Sequence, residues 1–216
     1  MARKTKEDAL ETRSHLLDAA ERVFFEKGFS QASLMDIAKA ANMTRGAIYW
    51  HFKNKSDVLE AMTDRIRLPY ENLSEACGDP NEPDPLGKMR DFWIQTLRET
   101  VRNPRRRRIL TILFHKCELN NEAKQLEVRR QSASLEYIHN MEQGLKNAVK
   151  KGQLPANLNI HQAAVAKHAL FVGLLSNWLF LPGSFDLETY AEPMVDSYFE
   201  MLKNSPHLRM EISQQA

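Results

Sequence analysis

The chain has 216 residues, of which 43% are hydrophobic and 27% charged, and its formal net charge is +2. This length and composition fit a globular protein of one or two domains with a sizeable core. No apolar run reaches the ~18–20 residues of a membrane span, and Met1–Asp8 lacks the apolar core of a secretory leader. The two cysteines, Cys77 and Cys117, stand far apart. They imply no disulfide framework and fit a reducing cytoplasm.

Apolar residues recur at three and four through Leu10, Leu17, Ala20, Val23 and Phe24, and the pattern stops at Gly28. That predicts an amphipathic helix with a glycine stop. Ser33 caps a second helix, with Asp36 at the position where a capping box prefers Glu or Gln. Asn42 falls at the following turn, and Asn tolerates the left-handed conformation better than other non-glycine residues. Thr44 caps a third helix over 44–52. Asn54 or Ser56 caps a fourth, running past Val58, Leu59, Met62 and Ile66 toward Pro69. The acidic, proline-rich stretch 78–85 is a surface loop. Further helices are expected at 85–102, 104–119, 122–151, 160–181 and 186–203, separated by Asn103-Pro104, by 119–121, by Gly152 with Pro155, and by 182–184. Beyond Pro206 the chain is polar and is expected to fray. The predicted fold is all-α, with domain 1–55, a second domain 56–205 and a tail 206–216.

Two short helices joined by a tight turn, the second carrying aromatic and basic residues, are what a helix-turn-helix requires. Residues 1–55 hold ten Lys/Arg against seven Asp/Glu, and the remainder twenty against twenty-one, so the front end is mildly basic. On the third helix Ile48 and Phe52 share a face and form a small core with Leu34, Ile37 and Met43. Arg45, Tyr49 and one side of Ala47 then point outward. Arg45 is best placed to reach a guanine edge. Tyr49 and Trp50 offer flat bodies for sugars and polar tips for phosphates. Gly46 leaves room for the backbone to approach nucleic acid. Thr44 and His51 complete the candidate DNA face of this helix, Lys53 and Lys55 extend its positive edge, and Ser33 opens a helix whose amides can meet a phosphate.

The stretch 34–55, LMDIAKAANMTRGAIYWHFKNK, resembles the DNA-binding domain of TetR-family repressors over more than twenty consecutive positions. Ala2–Lys6, Phe114–Glu118 and Gly152–Pro155 are similar to the subgroup that represses multidrug efflux pumps, the AcrR and TtgR kind. Asn42 departs from the glycine usual at that turn. The resemblance implies an all-α homodimer, with helices one to three on double-stranded operator DNA and later helices forming a ligand and dimer domain. It also implies hydrophobic or aromatic small-molecule inducers. The fourth helix, joining the two domains, is the expected lever between them.

The later helices carry stripes of aliphatics interrupted by an aromatic or polar group: Met89, Trp93 and Leu97; Leu110, Leu113, Phe114 and Cys117; Tyr137, Met141 and Leu145; His168, Val172, Leu175 and Ser176. Such a mixture suits the walls of a ligand cavity and equally an ordinary helical core; the resemblance favours the cavity. Where efflux repressors place polar ligand contacts, this chain has Leu110, Ser134 and Tyr137. Gly173, Leu174, Trp178, Leu181, Val195, Tyr198, Phe199 and Leu202 form a large apolar surface, expected to pair with a second copy in a four-helix interface.

No metal or cofactor is expected: the seven histidines include no His-x-x-x-His spacing. A regulator answering one metabolite is an alternative, and an all-α enzyme using His115, Cys117 or Glu118 a remote one. Arg105–Arg108, four cations at a helix start, oppose the helix dipole and find no account in the sequence.

Overall fold

The computed structural model describes residues 2–66, 79–117 and 124–210. Pro69, Cys77, Glu118, the break at 119–121 and the end of the tail lie outside the described residues. The described residues form nine α-helices and no strand. They are α1 (Ala2–Lys27), α2 (Leu34–Ala40), α3 (Arg45–His51), α4 (Lys55–Asp64), α5 (Pro85–Arg102), α6 (Pro104–His115), α7 (Lys124–Lys150), α8 (Ile160–Phe180) and α9 (Leu187–Asn204). Contacts divide the chain into two units, one of residues 1–67 with 104–129 and the other of 68–103 with 130–216. The unit with the helix-turn-helix is therefore larger than residues 1–55, because α4 and α6 pack into it.

In that first unit α1 ends as expected, with Gly28 at φ +79, and the Phe29 amide then donates to the Lys116 carbonyl at 2.9 Å. The box at the start of α2 forms with Asp36: its amide donates to Ser33 Oγ at 3.1 Å and its carboxylate accepts from the Ser33 amide at 3.0 Å. Asn42 stands alone among the described non-glycine residues at positive φ, +54. Asn54, not Ser56, caps α4 by accepting from the Asp57 amide at 2.9 Å. This helix ends at Asp64, short of Pro69, where a turn through Arg65 and Ile66 follows. One core joins Leu16, Leu17, Phe24, Ile37, Ile48, Phe52, Leu59 and Met62 to Ile109 and Ile112 of α6.

The arginine run 105–108 has a structural explanation that only the fold supplies. Glu21 of α1 is 3% exposed. Its carboxylate pairs with Arg108 and, at 3.4 Å, with Arg105, which also reaches Asp18 at 2.9 Å. Arg106 donates to the Ile66 carbonyl at 2.6 Å. The cations offset a buried charge across the helix pair, and this outweighs the exposed helix dipole.

In the second unit α5 packs on α9. Arg90 meets Asp196 and Glu192, Arg98 meets Glu192, and Arg102 meets Glu188, so the partners run in opposite directions along the two helices. Gln153 accepts from the Leu86 amide at 3.1 Å and donates to Asp84, the cap of α5, at 2.6 Å. The 152–155 segment is thus a clasp on the start of α5. The 206–210 stretch is not frayed: Leu208 is buried, the Asn159 amide donates to its carbonyl at 2.8 Å, and Met210 donates to Asn157 at 2.8 Å. An apolar side chain with a place to bury outweighs the polarity of its neighbours.

The expectation of no membrane-length apolar segment also needs correction. Ile160–Phe180 is long and apolar enough by composition, at mean hydropathy 1.3 over eighteen residues. A core helix passes the same test, and Ala163, Ala164, Lys167, Leu175, Trp178 and Leu179 are buried in the second unit.

Candidate functional site

α3 begins at the Thr44 cap, whose Oγ accepts from the Ala47 amide at 3.2 Å. Burying Ile48 and Phe52 in the core sets the rotation of the helix. A rotation that hides those two turns Arg45, Gly46, Tyr49 and Trp50 to solvent, with Tyr49 48% and Trp50 73% exposed. So large an indole left in water on a seven-residue helix is a surface built for contact. Arg45 stacks over the Tyr49 ring. A methyl group on Gly46 would meet nothing closer than Thr44 Oγ1 at 3.8 Å. The fold therefore has no need of glycine there, although glycine weakens a helix.

Three expected DNA residues have other tasks as well. The Ser33 hydroxyl is engaged in the α2 cap, donating to Asp36 at 2.7 Å. Lys55 donates to the Phe29 and Ser30 carbonyls at 3.0 and 3.3 Å and lies over the Phe29 ring, so its ammonium fastens the α1–α2 connection. His51 packs edge-to-face on Trp50 with centroids 4.4 Å apart. Burial, then the nearby charge of Arg13, holds its imidazole below the usual range.

The expected ligand residues divide between the two units. Tyr137, His168 and Trp93 converge in the second: Tyr137 lies 5.2 Å from the His168 ring and 6.2 Å from Phe171, which is 6.3 Å from Trp93. Trp93 also meets Tyr198 edge-on at 5.2 Å. Met89, Leu97 and Leu175 are buried in the same unit, while Met141, Val172 and Ser176 are half-buried there. Leu110, Leu113 and Phe114 belong to the first unit. Leu110 and Leu113 pack against its core beside Ile109 and Ile112, because α6 packs on α1.

Two residues of the ring cluster escaped the sequence reading. Lys167 is 1% exposed, and its ammonium lies 4.3 Å from the Tyr137 centroid, 5.0 Å from Trp93 and 5.1 Å from Phe171. The signal was available: Lys167 is the one Lys or Arg in the apolar stretch 160–181. A lone cation inside such a helix marks a burial that needs a reason. Phe171 was hidden because it falls between the two apolar stripes.

The expected partner surface changes most. Trp178, Val195, Tyr198, Phe199 and Leu202 are buried within the unit, and the Tyr198 hydroxyl donates to the Ala163 carbonyl at 2.8 Å. These five are core: α5 packs on α9, which carries four of them, and Trp178 is buried on α8. Gly173 and Leu174 remain half-buried and Leu181 exposed.

A capped helix-turn-helix with an exposed aromatic and basic second helix, in a chain whose other unit is a helical bundle, defines the class of helix-turn-helix transcriptional regulators. Comparisons with known proteins narrow this. Residues 16–62 match the family described as bacterial regulatory proteins, tetR family, and residues 84–204 match the C-terminal region of MAATS-type transcriptional repressors. The HTH-type transcriptional regulator TtgR of Pseudomonas putida is 44% identical over 97% of this chain and all of its own. The crystal structure of NalD, the secondary repressor of the MexAB-OprM multidrug efflux pump in Pseudomonas aeruginosa, matches with a TM-score of 0.83 at 36% identity, covering 92% of this chain and 99% of that one. SmeT, from Stenotrophomonas maltophilia, in complex with triclosan matches with a TM-score of 0.82 at 30% identity, over 91% and 93% of the two chains. The chain belongs to the TetR family of transcriptional repressors, and it is similar to those that control efflux pumps.

Proposed function

We propose that the protein binds a palindromic operator as a homodimer in the cytoplasm, represses a multidrug efflux pump, and leaves DNA when a hydrophobic or aromatic compound binds the second unit. The observation that carries the DNA part is the exposed Arg45, Tyr49 and Trp50 face of α3. In a two-fold dimer the two α3 helices would enter successive major grooves ~34–36 Å apart. Arg45 would read a base edge, and Tyr49, Trp50 and Thr44 would fix the register on sugars and phosphates.

The dimer surface is redrawn from burial. Leu170, Leu174 and Asn177 share one face of α8, with Leu181 just past its end, and Tyr190, Met194, Ser197 and Met201 share one face of α9. These stripes stay at least partly in water within a single chain, as a surface awaiting a second copy would. The ligand part rests on the ring cluster of Trp93, Tyr137, His168 and Phe171. A compound that lowers operator affinity tenfold needs only ~1.4 kcal/mol of preference for the non-binding state, and operator DNA must weaken that compound equally.

The test is fluorescence anisotropy on duplexes from upstream of the protein's own gene and its neighbours, followed by hydrophobic antibiotics and plant phenolics. Release by several unlike compounds supports the efflux reading. Release by one compound alone favours a single-metabolite regulator, and release by none removes the ligand part.

A further inference from the structure

The ring cluster of the second unit holds more polar chemistry than a core needs. Trp93 Nε1, the Tyr137 hydroxyl and His168 Nδ1 are buried without a hydrogen-bond partner. Three such atoms in one chain of rings, with Trp93 against Phe171, Phe171 against Tyr137 and Tyr137 against His168, are a concentration that native cores avoid. The indole N–H is a donor only, and the phenol O–H donates readily. Between them stands the Lys167 ammonium, against three ring faces. Lys167 has further interactions, and to this cluster it brings a positive charge. A methionine would fill the same space without taking a charge out of water. Burial first, and then the charge of Lys167, holds the His168 imidazole below its usual range. Donors and a positive charge facing aromatic walls call for a flat acceptor.

On that basis, and resting on the ligand-binding reading above, we propose that this cluster takes a planar aromatic compound bearing an anionic oxygen group, a carboxylate or phenolate. Its ring would lie among Trp93, Tyr137 and Phe171. Its oxygen would accept from Tyr137 and Trp93 and face Lys167. The same charge would select against the cationic amphiphiles that an uncharged aromatic box attracts.

The test uses the full-length protein and three compounds of one shape: naphthalene-2-carboxylate, naphthalene-2-carboxamide and 2-naphthylmethylamine. Calorimetric titration at pH 7 should find the carboxylate bound about tenfold more tightly than the carboxamide, the change expected of one hydrogen bond gaining charge assistance. The amine should bind weakest. Lys167→Met should bring carboxylate and carboxamide within about twofold of each other, with thermal melting confirming that the variant is folded. Tyr137→Phe supplies a second variant, expected to weaken the carboxylate more than the amine. Equal binding of all three compounds, a preference for the amine, or a carboxylate preference that survives Lys167→Met would overturn the proposal while leaving a ligand site in place. If no naphthalene binds but hydrophobic antibiotics do, the anionic class is wrong and the ligand-binding reading stands. If nothing in either set binds, both fall.

Discussion

The Arg45 guanidinium lies over the Tyr49 ring, 5.4 Å from its centroid, one turn along the exposed face of α3. The contact costs neither residue its access to solvent, and it holds the arginine over the aromatic surface that would meet DNA. Arg45→Ala should weaken specific operator binding by ~1–3 kcal/mol and relax preference at one base pair. Operator titrations with single base-pair substitutions measure both effects, and an unchanged preference would remove Arg45 as the base reader.

Gly46 separates the needs of the fold from those of the interface. Nothing in the first unit crowds a methyl group there. Gly46→Ala should raise helix stability by ~0.5–1 kcal/mol and at the same time weaken DNA binding. Chemical denaturation and anisotropy on one variant would show the two changes moving in opposite directions.

Much of this was legible in the sequence because local chemistry determined it. Ser33, Asn42, Thr44 and Asn54 each carry a capping or turn preference, and each sits where that preference places it. The recognition face followed from burying Ile48 and Phe52. What could not be read was pairing between distant segments. The apolar stripe of α9 is the same whether it faces α5 or a second chain, so Val195, Tyr198, Phe199 and Leu202 looked like partner surface. Arg105 and Arg108 looked misplaced because Glu21 lies more than eighty residues away. Leu110 and Leu113 share the composition of a cavity wall, and the fold packs them, partly buried, against the core that holds Ile109 and Ile112.

Glu21 supplies a stability prediction. Its buried carboxylate is shared by Arg105 and Arg108, both half in water. Glu21→Gln leaves Arg108 free to hydrate and Arg105 on Asp18, but removes a charge-assisted hydrogen bond and an ion pair, and should cost about 1.5–3 kcal/mol. Urea unfolding would measure it. A loss no larger than that of an exposed pair, below about 1 kcal/mol, would show that the pairing does not hold α6 on α1.

Asp36 gives the first unit a dependence on pH. Its bond with the Lys27 ammonium at 2.8 Å, followed by the Ser33 hydroxyl, lowers its carboxyl from 3.8 to about 2. Because the folded value lies below the unfolded one, this contribution is complete above pH 3.8 and is lost as pH falls through about 2. The melting temperatures of the native chain and Asp36→Asn should therefore differ at pH 5 and converge toward pH 2. A constant gap would contradict the assignment.

Tyr137 carries a buried hydroxyl without a partner. Tyr137→Phe removes that burden and should stabilise the unliganded chain by about 1 kcal/mol, raising its melting temperature by ~2–4 °C. Destabilisation would mean that the hydroxyl is satisfied in solution and is not held open for a ligand.

The most direct test of the account is an anisotropy titration of the full chain on DNA from upstream of its own gene, against a scrambled duplex, over a range of salt. The account predicts binding to the native duplex at least about a thousandfold tighter than to the scrambled one, with affinity falling steeply as salt rises, and a narrowing of that difference by roughly 5- to 150-fold in Arg45→Ala. Equal affinity for the two duplexes, and for every neighbouring promoter tried, would contradict the claim that the exposed face of α3 reads an operator.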